Sequence, residues 1–224
     1  LQDLRDITNQ HKVILIFDEV VTGFRTSRGG AQEYYGITPD MTTLAKILGG
    51  GLPGGAVTGK SELINMIETR NDAAFNQQQR IAHNGTFNAN PLSAAAGIKA
   101  LELVANSDIN EIANLRATQL RDGLNELLSH MEISGCCSGV ASLMHLRLGV
   151  EHECDKEICI LTPDQMVKTT DSKRDQQLIL ALLNNGVHAG TRFIFGATHT
   201  EKDISDTVQA YEEALTDMRK VGLI

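Results

Sequence analysis

Asp18, Lys46 and the pair Gly85-Thr86 stand out because their types and order suit one kind of chemistry. Asp18 closes the apolar run Val13-Ile14-Leu15-Ile16-Phe17. Lys46 follows 28 residues later, just ahead of a glycine-rich stretch at 49–55. Gly85-Thr86 precedes Pro91, which sits where a first-turn proline belongs. Five apolar residues without alternation read as a strand buried on both faces of a parallel sheet. Residues at the ends of such strands face the ligand crevice. A lysine amine there becomes a nucleophile toward an aldehyde once burial or a nearby cation removes its proton. A carboxylate beside a pyridine nitrogen keeps that nitrogen protonated, so the ring can withdraw electrons. Hydroxyl and amide donors hold a phosphate. Together these needs describe pyridoxal phosphate.

Two glycine patterns point elsewhere. Gly54-x4-Gly59-Lys60-Ser61 satisfies the P-loop expression, and Asp18-Glu19 at a strand end resembles the acidic site that holds magnesium in ATPases. The order is against a P-loop ATPase, because the glycines follow the acidic strand instead of preceding it. Gly49-x-Gly51-x-x-Gly54 fits the dinucleotide fingerprint but leads into Gly55 and apolar residues instead of a helix. Cys136, Cys137, Cys154 and Cys159 lack a usual zinc spacing and are too sparse for a disulfide scaffold. They read as reduced cytosolic thiols. His83, His145, His152, His188 and His199 carry no metal spacing and read as structural, so no metal is expected.

The elements around these residues follow from periodicity. Residues 1–11 read as the end of a helix. Helices are predicted over 31–35 and 61–69, the latter with Ser61 as N-cap, and a short strand over 55–58. The polar stretch 70–85 reads as a loop, with Gln77-Gln78-Gln79 mobile. Helices follow over 92–105 and 109–130. In the second, Ile112, Leu115, Leu120, Leu124, Leu127 and Leu128 recur near helical spacing. Beyond it come a strand over 140–148, a polar loop over 149–172 and a helix over 175–184 stopped by Asn185-Gly186. Short strands over 187–189 and 193–195 precede a capping box at Thr200-x-x-Asp203 and a last helix over 204–221. The pattern is α/β first and α+β second, with a domain boundary placed in or just after helix 109–130.

Composition bounds the function. The 224 residues make one large domain or two small ones, and the 42% hydrophobic fraction suffices for a core. A net charge of −8 argues against general nucleic-acid binding, which depends on neutralising phosphates. No apolar run approaches the ~20 residues of a membrane helix. Leu1-Gln2-Asp3-Leu4-Arg5 is not a signal peptide. A cytoplasmic chain is expected, and the absence of an initial Met suggests a fragment or a trimmed chain.

Several ordered motifs resemble a known family. Phe17-Asp18-Glu19-Val20-Val21-Thr22-Gly23-Phe24-Arg25 is similar to the signature of class III, fold-type-I aminotransferases, as is the stretch from Pro39 through Lys46 to Ala56. The segments from Gly29 to Gly36 and from Gly85 to Leu92 resemble the glutamate-1-semialdehyde aminomutase branch. The resemblance is dense over 12–105 and continues more weakly through 178–215. It implies that Lys46 forms the Schiff base with pyridoxal 5′-phosphate and later moves a proton between substrate Cα and cofactor C4′. Asp18 would pair with the ring nitrogen and Val20 would pack on one ring face. Thr86, with Gly85 beside it, would reach the phosphate of the cofactor in the neighbouring subunit of a homodimer. An amino donor and a carbonyl acceptor would be the small-molecule partners, with intramolecular transfer by an aminomutase as the close alternative.

By the same resemblance, residues 1–108 are part of the cofactor-binding large domain, an α/β layer with a mainly parallel sheet. Residues 109–224 are the small α+β C-terminal domain with its linking helix. Family members are about twice this long, the remainder being N-terminal, as expected for a two-domain subunit. That remainder supplies a phosphate loop and an aromatic residue stacked on the ring. A non-catalytic half-subunit that only dimerises is therefore a third reading. The aminomutase branch also carries an acidic residue near the turn 190–196, where this chain has Arg192. In relatives acting on β-amino acids an arginine around this turn binds the substrate carboxylate, a role suited to a guanidinium.

Overall fold

A computed structural model describes residues 1–150 and 157–224, divided into a first unit, 1–107, and a second, 108–224. In the first unit, α1 (Gln2–Gln10) leads to β1 (Ile16–Glu19), α2 (Gly30–Tyr35) and β2 (Met41–Ala45). A 3-10 turn (Lys46–Gly49) then connects to β3 (Gly55–Gly59). β1 pairs with β2 in parallel, Asp18 opposite Thr43, and β2 pairs with β3 antiparallel, so this three-stranded sheet is mixed. Asp40 ties its edge together. Its carboxylate accepts from the Leu15 N–H (2.8 Å) and pairs with Arg5 (3.0 Å) and Lys60 (2.6 Å).

The expectation of a strand buried on both faces is corrected here. The strand begins at Ile16, and Val13, Ile14 and Ile16 are 50–55% exposed. Three short strands and few flanking helices cannot cover both faces of a sheet. Residues 61–69 are not one helix: α3 (Ser61–Ile64) gives way to a 3-10 turn, and Lys60, not Ser61, occupies the N-cap position. The polar stretch 70–85 contains α4 (Ala73–Gln78), which Asp72 caps by accepting from the Phe75 N–H. Gln77 and Gln78 thus end a helix. α5 (Pro91–Asn106) starts as predicted, with Asn90 accepting from the Leu92 and Ser93 N–H groups and Pro91 in the first turn.

The second unit has a conventional core. α6 (Ile109–His130) buries Ala113, Ala117, Leu120, Leu124, Leu127 and Leu128 along one stripe. It packs on β4 (Gly135–Val140) and β5 (Leu143–Leu148). β5 alternates strictly, with Met144, Leu146 and Leu148 buried and Leu143, His145 and Arg147 half-buried. α7 (Pro163–Lys168), α8 (Ser172–Asn184), β6 (Arg192–Ile194) and α9 (Glu201–Lys220) complete the unit. The sheet is antiparallel in the order β4-β5-β6, and α9 lies against α6 and α8. Buried Tyr211 of α9 donates to the Gly190 carbonyl. The capping box at Thr200 and Asp203 is present.

β4 was not foreseen, because Gly135-Cys136-Cys137-Ser138-Gly139 lacks an alternating apolar signal. α7 lies within the stretch read as a loop, and 187–189 form no strand. Cys136 is disulfide-bonded, whereas Cys137 and Cys159 are free, so the reading of uniformly reduced thiols fails at Cys136. Cys154 and His152 lie outside the described residues. Among the described residues, no helix is long and apolar enough to cross a membrane.

Candidate active site

The two acids that end β1 have opposite fates. Side chains alternate along a strand, so Asp18 and Glu19 point to opposite faces. Glu19 is 1% exposed. Its carboxylate accepts from the Ala31 N–H (2.6 Å), the Gln32 N–H (3.1 Å) and side chain (3.2 Å), and the Thr22 hydroxyl (3.1 Å). It thereby caps α2 and fixes the chain leaving β1. Asp18 is exposed, and its Oδ1 accepts from the Thr43 hydroxyl (3.2 Å) and the Val20 N–H (3.1 Å). With Oδ1 doubly engaged, Oδ2 is left for an outside donor. Val20 is half-buried in the turn that follows.

Lys46 leaves the neighbouring parallel strand at the same end. It is exposed, makes no hydrogen bond or ion pair with a described residue, and holds φ 50°. A non-glycine residue in this left-handed region costs on the order of 1 kcal/mol, and such strain gathers at functional sites. The turn it opens is pinned to α5 by glycines. A Cβ on Gly50 (φ 59°) would overlap the Ala96 carbonyl, and one on Gly97 would overlap the Leu48 carbonyl.

Gly85 and Thr86 lie in an exposed turn closed by the Asn88 N–H donating to the Gly85 carbonyl (3.0 Å). Asn88 also contacts His83 (3.4 Å). A cleft of about 490 Å³ separates this turn from the glycine-rich loop, with Gly49, Pro53, Asn88, Asn90 and Gly97 on its walls. Asp18, Lys46 and Thr86 do not line it. The structure brings Asp18 and Lys46 to the ends of adjacent strands. No hydrogen bond joins Gly85 or Thr86 to either. Arg192 belongs to the second unit, where it pairs with His145 across the strands.

The P-loop reading fails on the same geometry. Gly55–Gly59 is a strand paired with β2, not a loop wrapping a phosphate, and Lys60 is held by Asp40. Thr43 escaped the sequence reading. Its register opposite Asp18 is visible only once the strands are paired, although both residues stand within their strand signatures.

The model of the family "Aminotransferase class-III" matches residues 1–190. The chain belongs to this family. Among curated class III relatives, glutamate-1-semialdehyde 2,1-aminomutase of Methanococcoides burtonii is 37% identical over 216 residues, covering 94% of this chain and 47% of that protein. The enzyme of the same name from Methanococcus vannielii is 41% identical over 187 residues, covering 84% and 40%. The chain spans about half the length of the curated relatives it matches. Among solved structures, an omega-transaminase from Sphaerobacter thermophilus superposes with a TM-score of 0.80 at 29% identity, covering 97% of this chain and 47% of that one. A β-phenylalanine aminotransferase from Variovorax paradoxus does so with a TM-score of 0.77 at 25% identity, covering 98% and 48%.

The cofactor of class III aminotransferases is pyridoxal 5′-phosphate. The residues here fit such a group. An amine without a described partner stands at one strand end, and a carboxylate with one oxygen unengaged stands at the next.

Proposed function

We propose that this chain supplies the covalent lysine and the ring-nitrogen carboxylate of a pyridoxal phosphate enzyme. That enzyme transfers an amino group between an amino acid or amine and a carbonyl compound. The observation that supports this most directly is the arrangement of Asp18, whose Oδ1 is engaged by Thr43 and Val20 while Lys46 ends the adjacent parallel strand. When bound, the cofactor supplies an electron sink for the carbon that loses its proton. Asp18 then accepts the ring N–H and keeps that nitrogen charged. Lys46 would hold the cofactor through its amine and would move a proton between substrate Cα and cofactor C4′. Val20 would pack on one ring face. Thr86, with Gly85 beside it, would reach the phosphate bound by a second copy, in a homodimer. Arg192 takes the substrate carboxylate.

Intramolecular transfer is a second reading, favoured by the curated relatives named glutamate-1-semialdehyde 2,1-aminomutase. Against it, Gly190-Thr191-Arg192 offers no acid at the turn. A non-catalytic half-subunit is a third reading, favoured by the exposed apolar side chains of the first unit.

The test is reductive trapping. The chain is incubated with pyridoxal phosphate, alone and with the missing half of a full-length relative, then reduced with borohydride and digested. A pyridoxyl group on Lys46, lost in Lys46→Arg, is the expected result. A folded sample with no adduct under either condition sinks the catalytic reading and leaves the half-subunit.

A further inference from the structure

The second unit carries a charged group outside the proposed pairing of Asp18 with Lys46. Strand register aligns Ser138, His145 and Arg192 in one row on the sheet face opposite the core, and places Arg147 on the same face two residues along β5. These four side chains border a cleft of about 330 Å³, which Glu157 and Cys159 also line.

The arginines there differ from the rest of their unit. Arg116 bonds Glu201, Arg121 bonds Asp122, and Arg174 and Arg219 bond the carbonyls of Thr169 and Met131. Arg147 and Arg192 make no hydrogen bond or ion pair with a described residue. Burial, then the charges of Arg147 and Arg192, push His145 down to about 4. It is neutral near pH 7 and keeps one ring N–H to donate. Two like charges near each other repel, and an anion held between them reduces that repulsion. Guanidinium forks match carboxylate and phosphate oxygens in pairs.

We propose that this face binds a small dianion, a dicarboxylate or a phosphate, gripped by Arg147 and Arg192 with His145 and Ser138 donating beside them. The two guanidinium forks can each clasp one anionic group, outweighing the single Glu157 carboxylate that also lines the cleft, while neutral His145 adds no charge. Because Arg192 is the residue assigned above to the substrate carboxylate, the inference deepens that reading and rests on it; the site itself lies wholly in the second unit, so dianion binding is read separately from an adduct at Lys46.

Calorimetric titration of the 224-residue chain with glutarate, inorganic phosphate and acetate tests it. Either dianion should bind at least about tenfold tighter than acetate, and which one does so identifies the source. Arg147→Met and Arg192→Met should each weaken that binding by about tenfold or more, as the loss of a charge-assisted pair implies. Arg147→Lys should keep the fold and give an intermediate loss. Lys202→Met, a surface control, should leave binding unchanged. Binding unaffected by either arginine change, an equal loss in Lys202→Met, acetate as tight as the dianions, or no dianion binding at all overturns the proposal.

Discussion

The two units hold their shape by different means. In the second, α6, α8 and α9 close over one face of the β4–β6 sheet with a continuous apolar core that includes Leu120, Leu124, Leu146, Leu178 and Tyr211. In the first, Ile37, Phe75 and Val104 are the only large apolar side chains buried among the described residues. Its order comes from polar hubs instead: Glu19 caps α2, and Asp40 binds Arg5, Lys60 and the Leu15 N–H. Leu4, Ile16, Phe87, Leu92 and Ile98 meanwhile stay more than half exposed. Within this chain the residues expected to do chemistry therefore sit on the unit ordered mainly by polar contacts. A hub of hydrogen bonds places a carboxylate accurately but contributes little net stability, because each bond replaces one to water.

That contrast can be broken by experiment. Leu124→Ala empties part of the second core and should cost about 3 kcal/mol there. Hydrogen exchange should report the loss across α6, β5 and α9 while leaving β1 and β2 unchanged. An equal loss in both units would show one cooperative core and erase the distinction. Asp40→Asn removes two ion pairs and keeps an acceptor for Leu15, so it should cost about 2 kcal/mol, confined to residues 1–107. A change in protection in α6 would contradict the contrast.

Acid gives the finest distinction. The folded state holds His145 down, from its ordinary 6.5 to about 4, so the unfolded chain binds the extra proton first. Stability of the second unit should fall as pH drops from 6.5 toward 4. The Asp40 carboxyl is held well below the ordinary carboxylate value of 3.8 by the Leu15 N–H, Lys60 and Arg5. Its contribution should be intact above that pH and drain away only below it. Exchange measured against pH should show the second unit weakening first. The reverse order would mean that other groups govern both.

Much of this was legible from residues alone. Helix 109–130 and the helix opening at Pro91 declared themselves, because long amphipathic spacing and capping residues are local signals. β4 did not, since its glycines, cysteines and serine are buried by pairing and not by their own hydrophobicity. α4 was hidden among polar residues that only Asp72 organises. At the candidate site, Asp18 and Lys46 were nameable from motif order. Thr43 and the division of labour between Asp18 and Glu19 were not, because register is a property of two strands and neither strand states it. Arg147 and His145 came together for the same reason.

Lys46 holds a backbone twist that glycine would adopt freely. Replacing it with glycine should relax the loop while deleting its amine.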